Sequence, residues 1–207
     1  MKPVGVILAG GRGRRFGGVD KAMLPLGGEP MIAHVIRRLH PQLAALAINA
    51  GGDPARFAGF ALPVLPDTLP GQPGPLAGLL AGMRWAEAQG ARHVVTAATD
   101  TPFLPGDLVE RLREALGEAL GGALGGAPVA LAETADGLHP TFGLWPVARA
   151  DDLETALAGG TRRIGAWALA QGAVRVRFAT VPHDPFFNVN TPADIETAEG
   201  ILARSRT

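Results

Sequence analysis

Fourteen consecutive residues near the start of the chain carry its densest chemical signal, Leu8-Ala-Gly-Gly-Arg-Gly-Arg-Arg-Phe-Gly-Gly-Val-Asp-Lys21. Five of them are glycine and four are cationic: Arg12, Arg14, Arg15 and Lys21. Glycine lets backbone N–H groups come close to an anion and the side-chain cations neutralise it, so this composition suits a loop that cradles phosphate. The chain has 17 arginines but only two lysines, Lys2 and Lys21, and only three asparagines, Asn49, Asn188 and Asn190. Compositional bias or pressure against labile amides accounts for that scarcity, but not for where the survivors fall.

Two aspartates extend the pattern. Asp100 follows the apolar run His93-Val-Val-Thr-Ala-Ala-Thr99, and an acid that ends such a strand marks a site more often than a turn. Asp67 follows Leu62-Pro-Val-Leu-Pro66, and Asn49 precedes Ala50-Gly51; for each, starting a turn is the weaker of two readings. Asn188 and Asn190 lie two apart on a segment of extended character, so their side chains share one side. As turn-forming amides they would simply position the last helix. Other chemistries drop out. There is no Cys, the one Ser is Ser205, and none of the five His forms a spaced ligand pair, which removes thiolate, serine-triad and zinc sites. The loop is not a dinucleotide fingerprint, because Gly11-Arg-Gly13-Arg-Arg ends in Phe16, nor a Walker A loop, because Ala follows Lys21.

These residues need elements to carry them. Val4–Leu8 reads as a buried parallel strand, and Ile32, Val35, Ile36 and Leu39 as one face of a helix. Leu43–Asn49 and Leu62–Pro66 read as further strands, the second at an edge because of its prolines. Leu76, Leu79, Leu80 and Met83 mark a helix that closes near Gly90, and Pro105–Leu116 another after the strand His93–Thr99. Leu116–Pro128 is a Gly/Ala stretch that reads as a frayed helix end and loop. Strands over Val129–Ala132, Thr141–Trp145 and Val174–Val181 alternate with helices near Asp152–Ala158 and Arg163–Gln171, and Thr191-Pro-Ala-Asp194 opens the last helix. The alternation predicts an α/β, Rossmann-like three-layer sandwich with a mostly parallel central sheet, one domain over residues 1–207. Leu8, Asn49, Asp67 and Asp100 then all end strands and converge at the carboxyl edge, where open α/β sheets bind ligands. A net charge of zero argues against nucleic acid or an anionic membrane as partner. The opening apolar run is too short for a signal peptide and no run spans a bilayer, so a cytoplasmic location is expected.

The opening LAGGRGRRFGGVDK resembles the signature of sugar-nucleotidyltransferase-like enzymes, and its compact close Gly17-Gly-Val-Asp-Lys21 is similar to that of molybdenum cofactor guanylyltransferases. The resemblance continues in order through Asn49, Asp67, Pro73-Gly-Pro-Leu-Ala-Gly78, Asp100-Thr-Pro102, His139-Pro140 and Phe187-Asn-Val-Asn-Thr-Pro192. It implies the nucleotide-diphospho-sugar transferase type of fold, with a GTP- and Mg²⁺-binding half over about 1–103 and a pterin half over about 104–207. The implied reaction transfers GMP from GTP to the terminal phosphate of molybdopterin or molybdenum cofactor and releases pyrophosphate. Implied nucleotide contacts are Leu8, Ala9, Gly10, Lys21, Asn49, Asp67 and Asp100, with Mg²⁺ on Asp100. Arg15 and Lys21 would neutralise the pyrophosphate, Asn188 and Asn190 would hold the pterin substrate or support the metal site, and the Pro73–Gly78 turn would read the base. Transient contact with cofactor-delivery proteins or acceptor molybdoenzymes is a further expectation. The rival readings are a CTP-dependent cytidylyltransferase or other small nucleotidyltransferase, and a non-catalytic GTP- or pterin-binding protein of the same fold.

Overall fold

The computed structural model describes residues 2–10, 19–67, 74–120 and 129–205. Strand β1 (Val4–Leu8) is buried at every residue, as expected for a strand covered on both faces. A hairpin the sequence reading did not anticipate follows, β2 (Pro25–Leu26) and β3 (Glu29–Pro30), turning at Gly27-Gly28. Both glycines have positive φ, the geometry that a two-residue hairpin turn requires. Next come α1 (Met31–Leu39), β4 (Ala45–Asn49), β5 (Val64–Leu65), α2 (Pro75–Ala88), β6 (His93–Ala98) and α3 (Leu108–Leu120). The remainder is β7 (Ala130–Thr134), β8 (Gly137–Pro146), α4 (Ala150–Ala158), α5 (Ile164–Ala170), β9 (Val174–Arg177) and α6 (Pro192–Ser205).

One seven-stranded sheet runs in the order β5-β4-β1-β6-β8-β7-β9. Every pairing is parallel except the two made by β8, which runs against β6 and β7. Leu8 is level with Asn49 on one side and Ala98 on the other, so three strand ends meet at the same height. The period of two along β1 then divides the core. Val4, Val6 and Leu8 pack with residues of α2, α4 and α5, including Leu79, Met83, Leu153 and Trp167, while Ile7 packs with α1 and α3 through Ile32, Val35, Leu108 and Leu112. A third cluster joins Leu26, Met31 and Phe103 to Val189, Ala198 and Ile201, fastening α6 beside the hairpin and the loop after β6.

Several boundaries differ from the sequence reading. Leu62–Pro66 contracts to two strand residues at the sheet edge, flanked by Pro63 and Pro66. Val174–Val181 stops at Arg177, after which Phe178 turns into a buried aromatic cluster. The third helix begins at Leu108 rather than Pro105 and passes Leu116, while residues 121–128 of the Gly/Ala stretch lie outside the described residues. His139-Pro140 lies inside β8 rather than before it. The pairing with β7 shifts register there: His139 faces Ala132, and the next pair is Gly143 with Leu131. Proline cannot donate to the ladder, so such an irregularity is where a strand tolerates it. Among the described residues no helix is long and apolar enough to cross a membrane.

Candidate active site

The strand ends deliver a small polar cluster. Lys21 sits in a 3-10 turn (Lys21–Met23), and its Nζ donates to Asp100 Oδ2 at 2.7 Å and to Asn190 Oδ1 at 2.6 Å. The Lys21 and Asp100 side chains are only 12% and 24% exposed, so this ion pair is far better shielded than a surface bridge. Three parts of the chain meet there: the turn bearing Lys21, the loop that follows β6, and the approach to α6.

The alternation at Asn188-Val189-Asn190 explains how the last part arrives. Val189 is fully buried in the third core cluster, and its N–H donates to Asp100 O at 2.9 Å. With Val189 turned inward, one asparagine reaches the turn bearing Lys21 and the other the loop after β6. Asn190 accepts from Lys21, and Asn188 Oδ1 accepts from the fully buried Thr101 Oγ1 at 2.7 Å. Asp194 holds the same segment from the first turn of α6. Its Oδ2 accepts from Asn190 N at 2.8 Å and Thr191 N at 2.7 Å, and these N–H donors, Asn190 first, hold its carboxyl below the ordinary value. Thr191 in turn offers Oγ1 to Asp194 N at 3.3 Å, a reciprocal cap.

A second polar pair lies on the other side of β1. Asn49 is 3% exposed, and its Nδ2 donates to Leu65 O at 3.1 Å and Asp67 Oδ1 at 3.0 Å. Both amide hydrogens are thereby committed to holding the exit of β5. The first turn of α2 closes over this amide: a Cβ on Gly78 would stand 2.2 Å from Asn49 Oδ1 and 2.9 Å from Leu8 Cδ2. Only glycine permits that approach. One turn later Gly82 packs on Val6 with the same economy of space.

The sequence-expected residues therefore fall into groups. Lys21, Asp100 and Asn190 are in direct contact, Asn188 joins through Thr101, and Asn49 and Asp67 form a separate pair. Leu8 and Ala9 are buried and Gly10 is exposed, with Ala9 N donating to Asn49 O at 2.8 Å. Arg12, Arg14, Arg15 and Pro73 lie outside the described residues. His139 is half-buried away from this cluster, stacked on Phe186 at 4.6 Å with its Nε2 2.9 Å from Thr134 Oγ1, and burial holds its pKa low. Sequence reasoning named the motifs holding Thr101, Gly78 and Asp194 but missed their contacts: Thr101 with Asn188, Gly78 against Asn49, and Asp194 with the Asn190 and Thr191 N–H groups. For Asp194 a signal existed, because Thr191 and an acid three residues on form a capping pattern. The motif ending in Gly78 was visible in the sequence, but its close approach to Asn49 was not.

The profile of the MobA-like NTP transferase domain matches residues 5–174. A curated relative from Cereibacter sphaeroides, named molybdenum cofactor guanylyltransferase, is 50% identical over 204 residues, covering 99% of each chain. Among solved structures, the molybdopterin-guanine dinucleotide biosynthesis protein A of Archaeoglobus fulgidus superposes with a TM-score of 0.70 at 26% identity, over 97% of this chain and 99% of that one. A CMP:2-keto-3-deoxy-manno-octonic acid synthetase complexed with CTP shares the fold at a TM-score of 0.72 and 17% identity, over 99% of this chain and 100% of that one. The chain belongs to the MobA-like NTP transferase family.

Proposed function

We propose that this protein transfers GMP from GTP to the terminal phosphate of molybdopterin or its molybdenum-bearing form and releases pyrophosphate. The observation that carries the reading is the meeting of Lys21, Asp100 and Asn190 at the carboxyl edge of the parallel strands, in a chain half identical to a relative named for this activity. An oxygen of the acceptor phosphate attacks the α-phosphorus of GTP, and the bond from that phosphorus to the bridging oxygen breaks. The nucleophile is already anionic, so no strong general base is needed, and catalysis consists of positioning and charge neutralisation.

The donors around Lys21 Nζ fit a small hard cation. An Asp100 carboxylate oxygen and the Asn190 amide oxygen already converge on one positive charge, and no third acidic or His ligand joins them among the described residues. Two oxygen donors with the remaining positions left to phosphate and water is the usual company of Mg²⁺. Asp100 and Asn190 would hold such an ion, and the chemistry it would supply is neutralisation of phosphate charge. Lys21 would meet the leaving pyrophosphate together with Arg15. The Leu8–Gly10 backbone, Asp67 and the segment up to Gly78, which is the start of α2 rather than the expected turn, would receive the nucleoside, and Asn49 would serve it by holding Asp67. Asn188, exposed beside Thr101, is left to the pterin substrate, whereas Asn190 belongs with the nucleotide and metal.

The test is pyrophosphate release with molybdopterin and each nucleoside triphosphate in the presence of Mg²⁺. GTP is expected to exceed CTP and ATP, because amide groups that pair with guanine are left unpaired by the wrong base. Equal turnover with CTP would favour a cytidylyltransferase, and binding without pyrophosphate release would favour a non-catalytic protein.

A further inference from the structure

The turn that carries Lys21 is anchored by the residue before it. Asp20 Oδ1 accepts from Ala22 N at 3.0 Å, and Asp20 O accepts from Met23 N at 3.0 Å. The second carboxylate oxygen, Oδ2, accepts from Arg56 Nε at 2.6 Å. Arg56 is engaged through every nitrogen: Nη2 donates to Gly51 O at 2.6 Å, and Nη1 donates to Asp53 O. Its guanidinium lies 4.4 Å from the ring centroid of Phe57, which is fully buried. Gly51 and Asp53 belong to the chain leaving β4 immediately after Asn49. One side chain thus ties the exit of β4 to the turn bearing Lys21. The fork is specific to arginine, since a lysine keeps the charge but offers a single nitrogen on a flexible stem.

We propose that Arg56 is a positioning residue for the transfer reaction, acting through Asp20 to fix the base of Lys21 so that its ammonium reaches the reacting phosphates. The inference rests on Lys21 being the phosphate-binding cation. Lys21 is long and flexible, and its Nζ can be aimed only if its backbone is held, which the Asp20 carboxylate does by capping the turn with one oxygen and gripping Arg56 with the other. Misplacing a catalytic group by about 1 Å costs on the order of 10²-fold in rate.

The test compares wild type, Arg56→Lys, Arg56→Ala, Lys21→Ala and the Lys21→Ala/Arg56→Ala double variant by steady-state pyrophosphate release, with thermal midpoints measured alongside. Arg56→Ala is expected to lower kcat by about 10- to 100-fold when Lys21 is present, and by less than about twofold when Lys21 is already alanine. Arg56→Lys should fall between, with a midpoint close to wild type, and replaces Arg56→Ala in the comparison should the latter fail to fold. Equal losses with and without Lys21 would mean that Arg56 serves the fold, and would overturn the proposal while leaving the role of Lys21 intact. Wild-type turnover of Lys21→Ala would overturn the proposal together with the reading it rests on.

Discussion

The two halves of the sheet solve different problems. On the side of β5, β4, β1 and β6 all strands run the same way, so their ends gather at one edge, and the residues there are small or polar: Asn49, Asp67, Asp100 and, from the adjoining turn, Lys21. On the side of β8, β7 and β9 the antiparallel β8 interrupts that gathering, and the space is filled by rings. Phe186 stacks with His139 at 4.6 Å and meets Phe142 at 4.9 Å and Phe178 at 5.3 Å. Parallel strands concentrate polar termini; a reversed strand fills the gap with apolar bulk. The chain does not respect this division in sequence, however. Asn190, from the far end, returns to the first half and binds Lys21.

The comparison breaks first at Asp100. If the polar half carries the chemistry, Asp100→Asn keeps its shape yet lowers Mg²⁺-dependent pyrophosphate release by about 10²–10³-fold. Near-normal turnover would remove the strand-end cluster from the mechanism. A smaller effect is expected from Gly78→Ala, which places a methyl group 2.2 Å from Asn49 Oδ1, an amide whose hydrogens hold Leu65 O and Asp67. Overpacking of this kind costs about 1–3 kcal/mol, measured by denaturant unfolding, and GTP affinity should fall with it as Asp67 shifts. The aromatic half should answer to pH instead. Burial lowers the pKa of His139 from 6.5, against the opposing pull of Asp184 and Asp136; outside that half, His93 at the start of β6 and His183 beside Phe103 are lowered by burial as well, with nearby arginines adding to it. The unfolded chain then binds protons that the native chain refuses, so stability falls as pH drops from about 6.5 towards the lower native values. His139→Gln should give a shallower loss of melting temperature between about pH 7 and 5, and an unchanged slope would show that His139 contributes nothing to it.

Much of the architecture was legible because the β/α alternation and the two periods of apolar residues are strong signals, from Val4–Leu8 to the helix face of Ile32, Val35 and Leu39. The expectation that Asn188 and Asn190 share one side also holds: with a fully buried Val189 between them, Asn190 meets Lys21 and Asn188 meets Thr101, segments joined by the Lys21–Asp100 pair. What sequence could not supply was partnership across distance. Lys21 and Asn190 are 169 residues apart, and Arg56 reaches Asp20 across 36, so neither contact leaves a local pattern. The reversed β8, with His139-Pro140 inside it, was equally hidden, because a short apolar run does not reveal its direction.

The central claim is that one site, drawn from both ends of the chain, holds the reacting nucleotide. Calorimetric titration of GTP with Mg²⁺ into wild type and Asn190→Ala tests it most directly. Losing one buried polar contact of about 1–3 kcal/mol should weaken GTP binding by roughly five- to 150-fold, with the fold retained. GTP affinity unchanged while transfer to molybdopterin collapses would contradict the claim and place Asn190 with the acceptor substrate instead.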